Sequence, residues 1–561
     1  MIYTTKAKGM RLFLLLSSII AISLSFAGSA KAANTTIVDY FKNKEAPAFR
    51  PDHTLPSLSY YLGGGAELSR YVLNSAGTAY LKNFDAEKEL AQRWGYGILH
   101  AYEHGQFPSE RELFDFAKLS PKEYPIFVIL DTRPWNLNYG SMARITPKNI
   151  FCRDQYGSLL FSGGSRMWCP EAQDAWYRFS MRYKTAALRD IAGKANISII
   201  LDQGETALWS WGTNQSELWK YDPRVLRAQG TRTNSIYYAE RKNNEENSMV
   251  QALQEAVPDR QLLVYYQNGG GPLRGTQNWP LFYMDYDFIR GRSDIPSSGV
   301  YYKHGADGFV IPANRKDLLT LALNARGYEI SKGDKLSYNW LCAGGCKGGQ
   351  SSGEYLADIP TYIGYLKAYY TAGMIGGVAG WYDSARPQTC TDSILPLAGG
   401  KTSALCVMDF DQNSPRHWVQ QIEMLSQAHA QFSWLEPFLR NGELLPGPDS
   451  HYFHSGQSYN SNDGQPAYEF PTGYANTRVL ARKMNEQNKW IVTAWAADGV
   501  TRDVTVTIPV LGAVSVNAIA AGHVYYFDGS SANQYLLDGN NPMNPSQEIK
   551  TLYDQGILNI F

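Results

Sequence analysis

Asp202 and Glu205 stand three positions apart near the middle of the run 197–211, ISIILDQGETALWSW, with Trp209 and Trp211 close behind. Two neighbouring carboxyl groups suit the cleavage of a glycosidic bond. One holds a proton for the leaving oxygen, and the other stabilises or attacks the positive sugar carbon. Flat indole rings cover the apolar faces of pyranoses. A plainer local reading has Asp202 capping a helix and Glu205 in that helix's first turn. The choice depends on what positions the pair.

Four apolar residues lead into Asp202, the texture of a strand buried on both faces. Comparable runs occur at 57–63, 96–102, 125–131, 261–267, 299–303, 336–341 and 377–382. Between them, stretches such as 85–93, 109–119, 172–192, 249–256 and 355–372 carry apolar residues at helical spacing. Eight strands alternating with helices predict an α/β fold, a (β/α)8 TIM barrel over residues 33–446. An open doubly wound sheet is disfavoured, because Tyr61-Leu62-Gly63-Gly64-Gly65 lacks the spacing of a phosphate-binding turn.

In such a barrel, chemistry sits at the carboxyl ends of the strands. Asp131-Thr132-Arg133-Pro134-Trp135 ends the third candidate strand, where Asp131 reads more as a turn cap than as a sugar ligand. Tyr266 and Asn268 end the fifth, Trp340 the seventh, and Trp381 and Asp383 the eighth. Carboxylates and amides match sugar hydroxyls, so Trp135, Tyr266, Asn268, Trp340, Trp381 and Asp383 are expected to bind substrate. No GxSxG elbow or HExxH helix is present, which weighs against esterase and zinc-protease chemistry.

The chain has 561 residues, with 52 Lys+Arg balancing 52 Asp+Glu, and no block of like charge. That argues against nucleic acid or a membrane as the main partner. Lys6, Lys8 and Arg11, an apolar stretch 12–27 and Ala30-Lys31-Ala32 form an export signal, residues 1–32, cleaved to give a secreted or periplasmic protein. The six cysteines fall into local pairs, Cys152 with Cys169, Cys342 with Cys346, and Cys390 with Cys406. Structural disulfides fit an exported chain better than zinc, and no metal or cofactor is expected. After Pro446-Gly447-Pro448 the texture shifts to short alternating segments, including 477–483, 489–496, 503–508, 515–519 and 524–527. They predict a small all-β antiparallel sandwich over 447–561.

The acidic end of the fourth strand, the Gly380-Trp381-Tyr382-Asp383 end of the eighth and the segment from Trp490 to Trp495 together resemble secreted (β/α)8 glycoside hydrolases with a carboxyl-terminal β-sandwich. In the retaining clan of that group, a Glu ending strand four is the acid/base, which Glu205 matches. Its nucleophile, a Glu ending strand seven, has no counterpart in SYNWLCAGG, and Glu354 is the nearest substitute. The chain is also similar to α-galactosidase-like barrels, whose strand-four Asp nucleophile corresponds to Asp202. The resemblance implies a glycosidase acting on a polysaccharide or oligosaccharide, with a galactan such as agar or carrageenan as its suggested substrate. Two rivals are a non-catalytic carbohydrate-binding protein on the same scaffold and a polysaccharide lyase.

Overall fold

The computed structural model describes residues 41–61, 89–102, 125–131, 148–162, 165–167, 169, 171–172, 196–202, 221–232, 237, 251–252, 254–255, 258, 262–266, 295–298, 336–341, 359–380, 418–448 and 468–561. Their first part is built on parallel strands. These are β1 (Ser59–Tyr61), β2 (Ile98–Tyr102) and β3 (Pro125–Asp131), then β6 (Asn196–Asp202), β7 (Leu262–Tyr266), β8 (Ile295–Ser298), β9 (Ser337–Leu341) and β10 (Met374–Gly380). Between β3 and β6, β4 (Phe161–Ser162) and β5 (Ser165–Arg166) form a short antiparallel ladder.

One parallel sheet has the order β2-β3-β6-β7-β8 and another the order β1-β10-β9. A parallel bridge between Leu58 and Tyr96 links the approaches to β1 and β2, and β8 lies beside β9. Each parallel strand therefore neighbours the next along the chain, and β10 returns to β1. The expected strand at 299–303 lies outside the described residues, and just upstream of it lies β8. Pro296 hid it, since proline within a run argues against a strand. Among the described residues β8 is laddered to β7 alone, so Pro296, which lacks an N–H, sits in a strand with one described ladder.

The carboxyl-terminal part contains β11 (Gly442–Leu444), β12 (Thr477–Met484), β13 (Lys489–Ala496), β14 (Arg502–Ile508), β15 (Gly512–Ala518), β16 (His523–Asp528) and β17 (Gln534–Leu536). Antiparallel pairing gives a five-stranded sheet, β11-β12-β13-β16-β17, and a separate β14-β15 hairpin. Val504, Val506 and Ile508 of the hairpin meet Val479, Trp490, Val492 and Phe527 of the sheet in one apolar core. Pairing of β11 with β12 brings residues 442–444 into this sheet, ahead of the change in texture at Pro446.

Among the described residues, helices that pack around these sheets include α2 (Ile359–Thr371), α3 (Trp418–Ser433), α4 (Glu436–Asn441) and α5 (Pro545–Asp554). A further helix, α1 (Pro223–Gln229), follows β6. Helix α5 corrects the all-β expectation for the last hundred residues.

The central strands β12 and β13 correct a second expectation, since almost every residue in them is buried instead of alternate ones. Helix α2 covers the face of the sheet opposite the hairpin. The Tyr365 and Trp495 rings lie 6.0 Å apart, and the Thr371 and Thr493 hydroxyls are bonded at 2.6 Å. Sheet faces covered on both sides favour continuous apolar runs. The same burial makes α2 inaccessible on all sides from Thr361 to Thr371, although its spacing predicted a solvated face. At Gly364 an added Cβ would collide with the Ala520 carbonyl and the Trp495 ring, so only glycine permits this approach.

The segment 41–56 straps this region. Arg50 pairs with Glu436 at 2.7 Å, Lys44 with Glu423 at 3.0 Å, and the Ala48 N–H donates to Ser546 Oγ of α5 at 2.9 Å. Glu436 also accepts from the Thr54 N–H and hydroxyl. Burial alone would raise its pKa, but the bonds from Thr54 and Arg50 prevail and hold it below the usual value. No helix among the described residues is long and apolar enough to cross a membrane.

Candidate active site

Strand register brings the acids together. Asp131, the last residue of β3, is level with Asp202, the last residue of β6, and Asp202 is level with Tyr265 of β7. Tyr265 is in turn level with Ser297 of β8. Neighbouring strands lie about 4.8 Å apart, so two carboxylate-bearing positions stand side by side at the carboxyl ends of parallel strands. The cause is local: PIFVILD and NISIILD are equal in length and pair from Pro125–Asn196 through to Asp131–Asp202. Each ends where an acid interrupts the apolar run. Asp131, read from sequence as a turn cap, is level with Asp202 in the sheet, a placement that sequence reasoning did not supply. The identical reach of the two seven-residue strands was the available signal.

Tyr266 closes β7 beside Ser298, and Trp340 of β9 is level with Val378 of β10. Glu205, Glu354, Trp135, Asn268, Trp381 and Asp383 lie outside the described residues.

The connections that leave β3 and β6 meet in a small module. Backbone bonds Cys152 N–H to Met167 O (2.8 Å) and Cys169 N–H to Ile150 O (2.7 Å) pair two segments of the first connection. Cys152, Met167 and Cys169 form a core with Val225 of α1 and with Tyr237, both from the second connection. Asp222 joins the two. It caps α1 through the Arg224 N–H (2.8 Å), accepts the Arg153 N–H (2.8 Å), and is gripped by the Arg224 guanidinium through both oxygens. These bonds outweigh burial and keep its pKa below the ordinary value. Asp154 Oδ1 accepts the N–H groups of Tyr156 and Ser158 (2.9 and 2.8 Å), shaping a turn that leaves Tyr156 83% exposed.

The sequence-predicted disulfide partners Cys152 and Cys169 are thus brought together, but as thiols and not as a formed disulfide. Their hydrogen bond, with burial, pushes the Cys152 thiol well up. Their sulfurs and an Asp222 oxygen all lie within 4.8 Å of one another, the one such group of potential metal ligands among the described residues. Cys342, Cys346, Cys390 and Cys406 lie outside those residues.

No family model matches the chain, and no curated protein matches it. Solved structures similar to it include the β-galactosidase from Rahnella sp. R3, at 9% identity and a TM-score of 0.44, covering 86% of this chain and 100% of that one. Another is Eubacterium rectale Amy13B, at 11% identity and a TM-score of 0.40, covering 88% and 96%. Gan42B, a GH42 β-galactosidase from G. stearothermophilus, matches at 10% identity and a TM-score of 0.40 over 70% of this chain. This chain spans 58% of that protein's length.

Proposed function

We propose that the eight parallel strands close into a (β/α)8 barrel and that the protein is a glycoside hydrolase acting on a polysaccharide or oligosaccharide. The observation that carries this reading is the register row Asp131–Asp202–Tyr265 at the carboxyl ends of β3, β6 and β7. Barrel enzymes assemble their chemistry at that end.

Glu205, three residues beyond β6, serves as general acid, protonating the departing glycosidic oxygen. Asp202 or Glu354 supplies the carboxylate that bonds to the sugar carbon or activates water against it. Asp131, beside Asp202, orients a hydroxyl or raises its neighbour's pKa by like-charge repulsion. Trp135, Tyr266, Asn268, Trp340, Trp381 and Asp383 shape the sugar site, with a galactan as the favoured substrate. The protein acts after export, its first 32 residues removed, and amino-terminal sequencing of the mature form tests that step.

Release of reducing sugar from a glycan panel tests the main reading, comparing wild type with Glu205→Gln. Hydrolysis by wild type, with binding kept but turnover lost in the variant, supports it. Inactivity of the wild type with glycan binding intact assigns the scaffold to recognition. Unsaturated products absorbing in the ultraviolet would make it a lyase.

A further inference from the structure

The Cys152, Cys169 and Asp222 group offers two chemistries, a metal ion or a bond between the sulfurs. Asp222 decides between them. Both of its oxygens are engaged by Arg224, and they also receive the Arg153 and Arg224 N–H groups. A cation there would face a guanidinium and would have to displace the helix cap. Among the described residues only the two sulfurs remain as donors, short of the four ligands a structural zinc takes. The sulfurs lie within 4.8 Å of one another on segments that backbone bonds already pair at 150–152 and 167–169.

We propose that Cys152 and Cys169 form a disulfide that clamps together the two paired segments of the connection leaving β3. Two thiols lose two protons and two electrons and gain one S–S bond. The electrons pass to a protein or small-molecule disulfide, which leaves as a dithiol. Both cysteines are fully buried, and thiolate is the reacting form, so oxidation takes place while segment 153–168 is still open. Once folded, the bond is shielded from reductants. It holds Tyr156 on a turn anchored at both ends and stiffens the connection from β3, which Asp222 and the shared apolar core join to the connection from β6.

The test uses the full chain, exported by a host through an oxidising compartment and alkylated in denaturant without reductant. Peptide mapping is expected to recover residues 152 and 169 as one linked pair, released only by reduction. Thiol-specific reductant added to native protein should leave the pair intact, whereas the same reductant in denaturant should open it. The Cys152→Ser/Cys169→Ser double variant should be cut several-fold faster by protease within 153–168. Alkylation of both cysteines without prior reduction, linkage of either to another cysteine, or one zinc per chain released on thiol modification would overturn the proposal. None of these readouts depends on glycan turnover, so the proposal stands or falls apart from the glycosidase reading.

Discussion

Lys367 Nζ of α2 lies 2.6 Å from Asp538 Oδ2 beyond β17, and both side chains are wholly removed from solvent. Lys367 also donates to the Gly522 and Pro542 carbonyls (2.9 and 2.8 Å), while Asp538 Oδ1 meets His523 Nδ1 at 3.1 Å. Burial drives the Lys367 pKa down in spite of its partner. Asp538 also lies below its ordinary value, burial being outweighed by Lys367 and His523. The pair fixes a helix of the parallel-strand part to the antiparallel sheet.

Removing one partner strands the other charge. Lys367→Met is expected to cost about 3–5 kcal/mol, read from the midpoint of denaturant unfolding. The double variant Lys367→Met/Asp538→Leu should recover much of that loss. A single variant within about 1 kcal/mol of wild type would show that water reaches the site.

Gly364→Ala should destabilise by about 1–3 kcal/mol through overpacking, since the added methyl meets a carbonyl and an indole. Shrinking the opposing ring with Trp495→Phe should make the alanine better tolerated, a non-additivity that a double-mutant cycle measures.

Arg482 is 1% exposed and donates to the carbonyls of Phe438 (2.7 Å) and Gly442 (3.0 Å) at the end of α4. Those carbonyls carry the negative end of the helix dipole. Arg482→Met leaves them unsatisfied and is expected to cost about 2–4 kcal/mol, with Arg482→Lys intermediate because it supplies fewer donors. Equal stability of the two variants would contradict this role.

Asp498 is held at a pKa of about 2 by the Arg502 guanidinium, which reaches both of its oxygens at 2.7 Å. Its folded pKa lies below the unfolded one, so the stabilisation is present above about pH 4 and fades as pH falls toward 2. Its side chain is 25% exposed, and solvent screening limits the contribution to about 1 kcal/mol. Asp498→Asn should be less stable than wild type by that amount at pH 6, with the gap closing at pH 2. A gap that widens on acidification would reverse the assignment.

On the proposed hydrolase reading, Asp202→Asn should lower kcat by about 10²–10⁴-fold with little change in KM. Asp131→Asn should shift the acid limb of the pH–rate profile. An unchanged profile with a raised KM would confine Asp131 to sugar binding.

Much of this fold was legible in sequence because parallel strands announce themselves as apolar runs. PIFVILD and NISIILD could be bounded to within one residue. The runs for β1, β2, β7, β9 and β10 overlap their observed strands, whereas Pro296 concealed β8. Helix α5 escaped notice because its sequence, PSQEIKTLYD, is mostly polar and carries few apolar anchors. The double-sided burial of β12, β13 and α2 was invisible for another reason. Lys367, Arg482 and Thr371 read as surface residues until the partners that satisfy them are known. In the candidate site, Asp202 could be found by its place at the end of a run. Asp131 could not be promoted above a turn cap until strand register set it beside Asp202.

The strap from residue 41 to residue 56 is joined to α5 by the bond from the Ala48 N–H to Ser546 Oγ, across 498 positions of sequence. At ~5–20 residues per second of synthesis, Ala48 waits roughly 25–100 s for that partner to be made. The Lys367–Asp538 pair likewise forms only after residue 538 has been made. A ribosome-bound chain therefore carries an unfinished surface at the strap until α5 emerges, and stalling between the two would leave the strap without its closing contact.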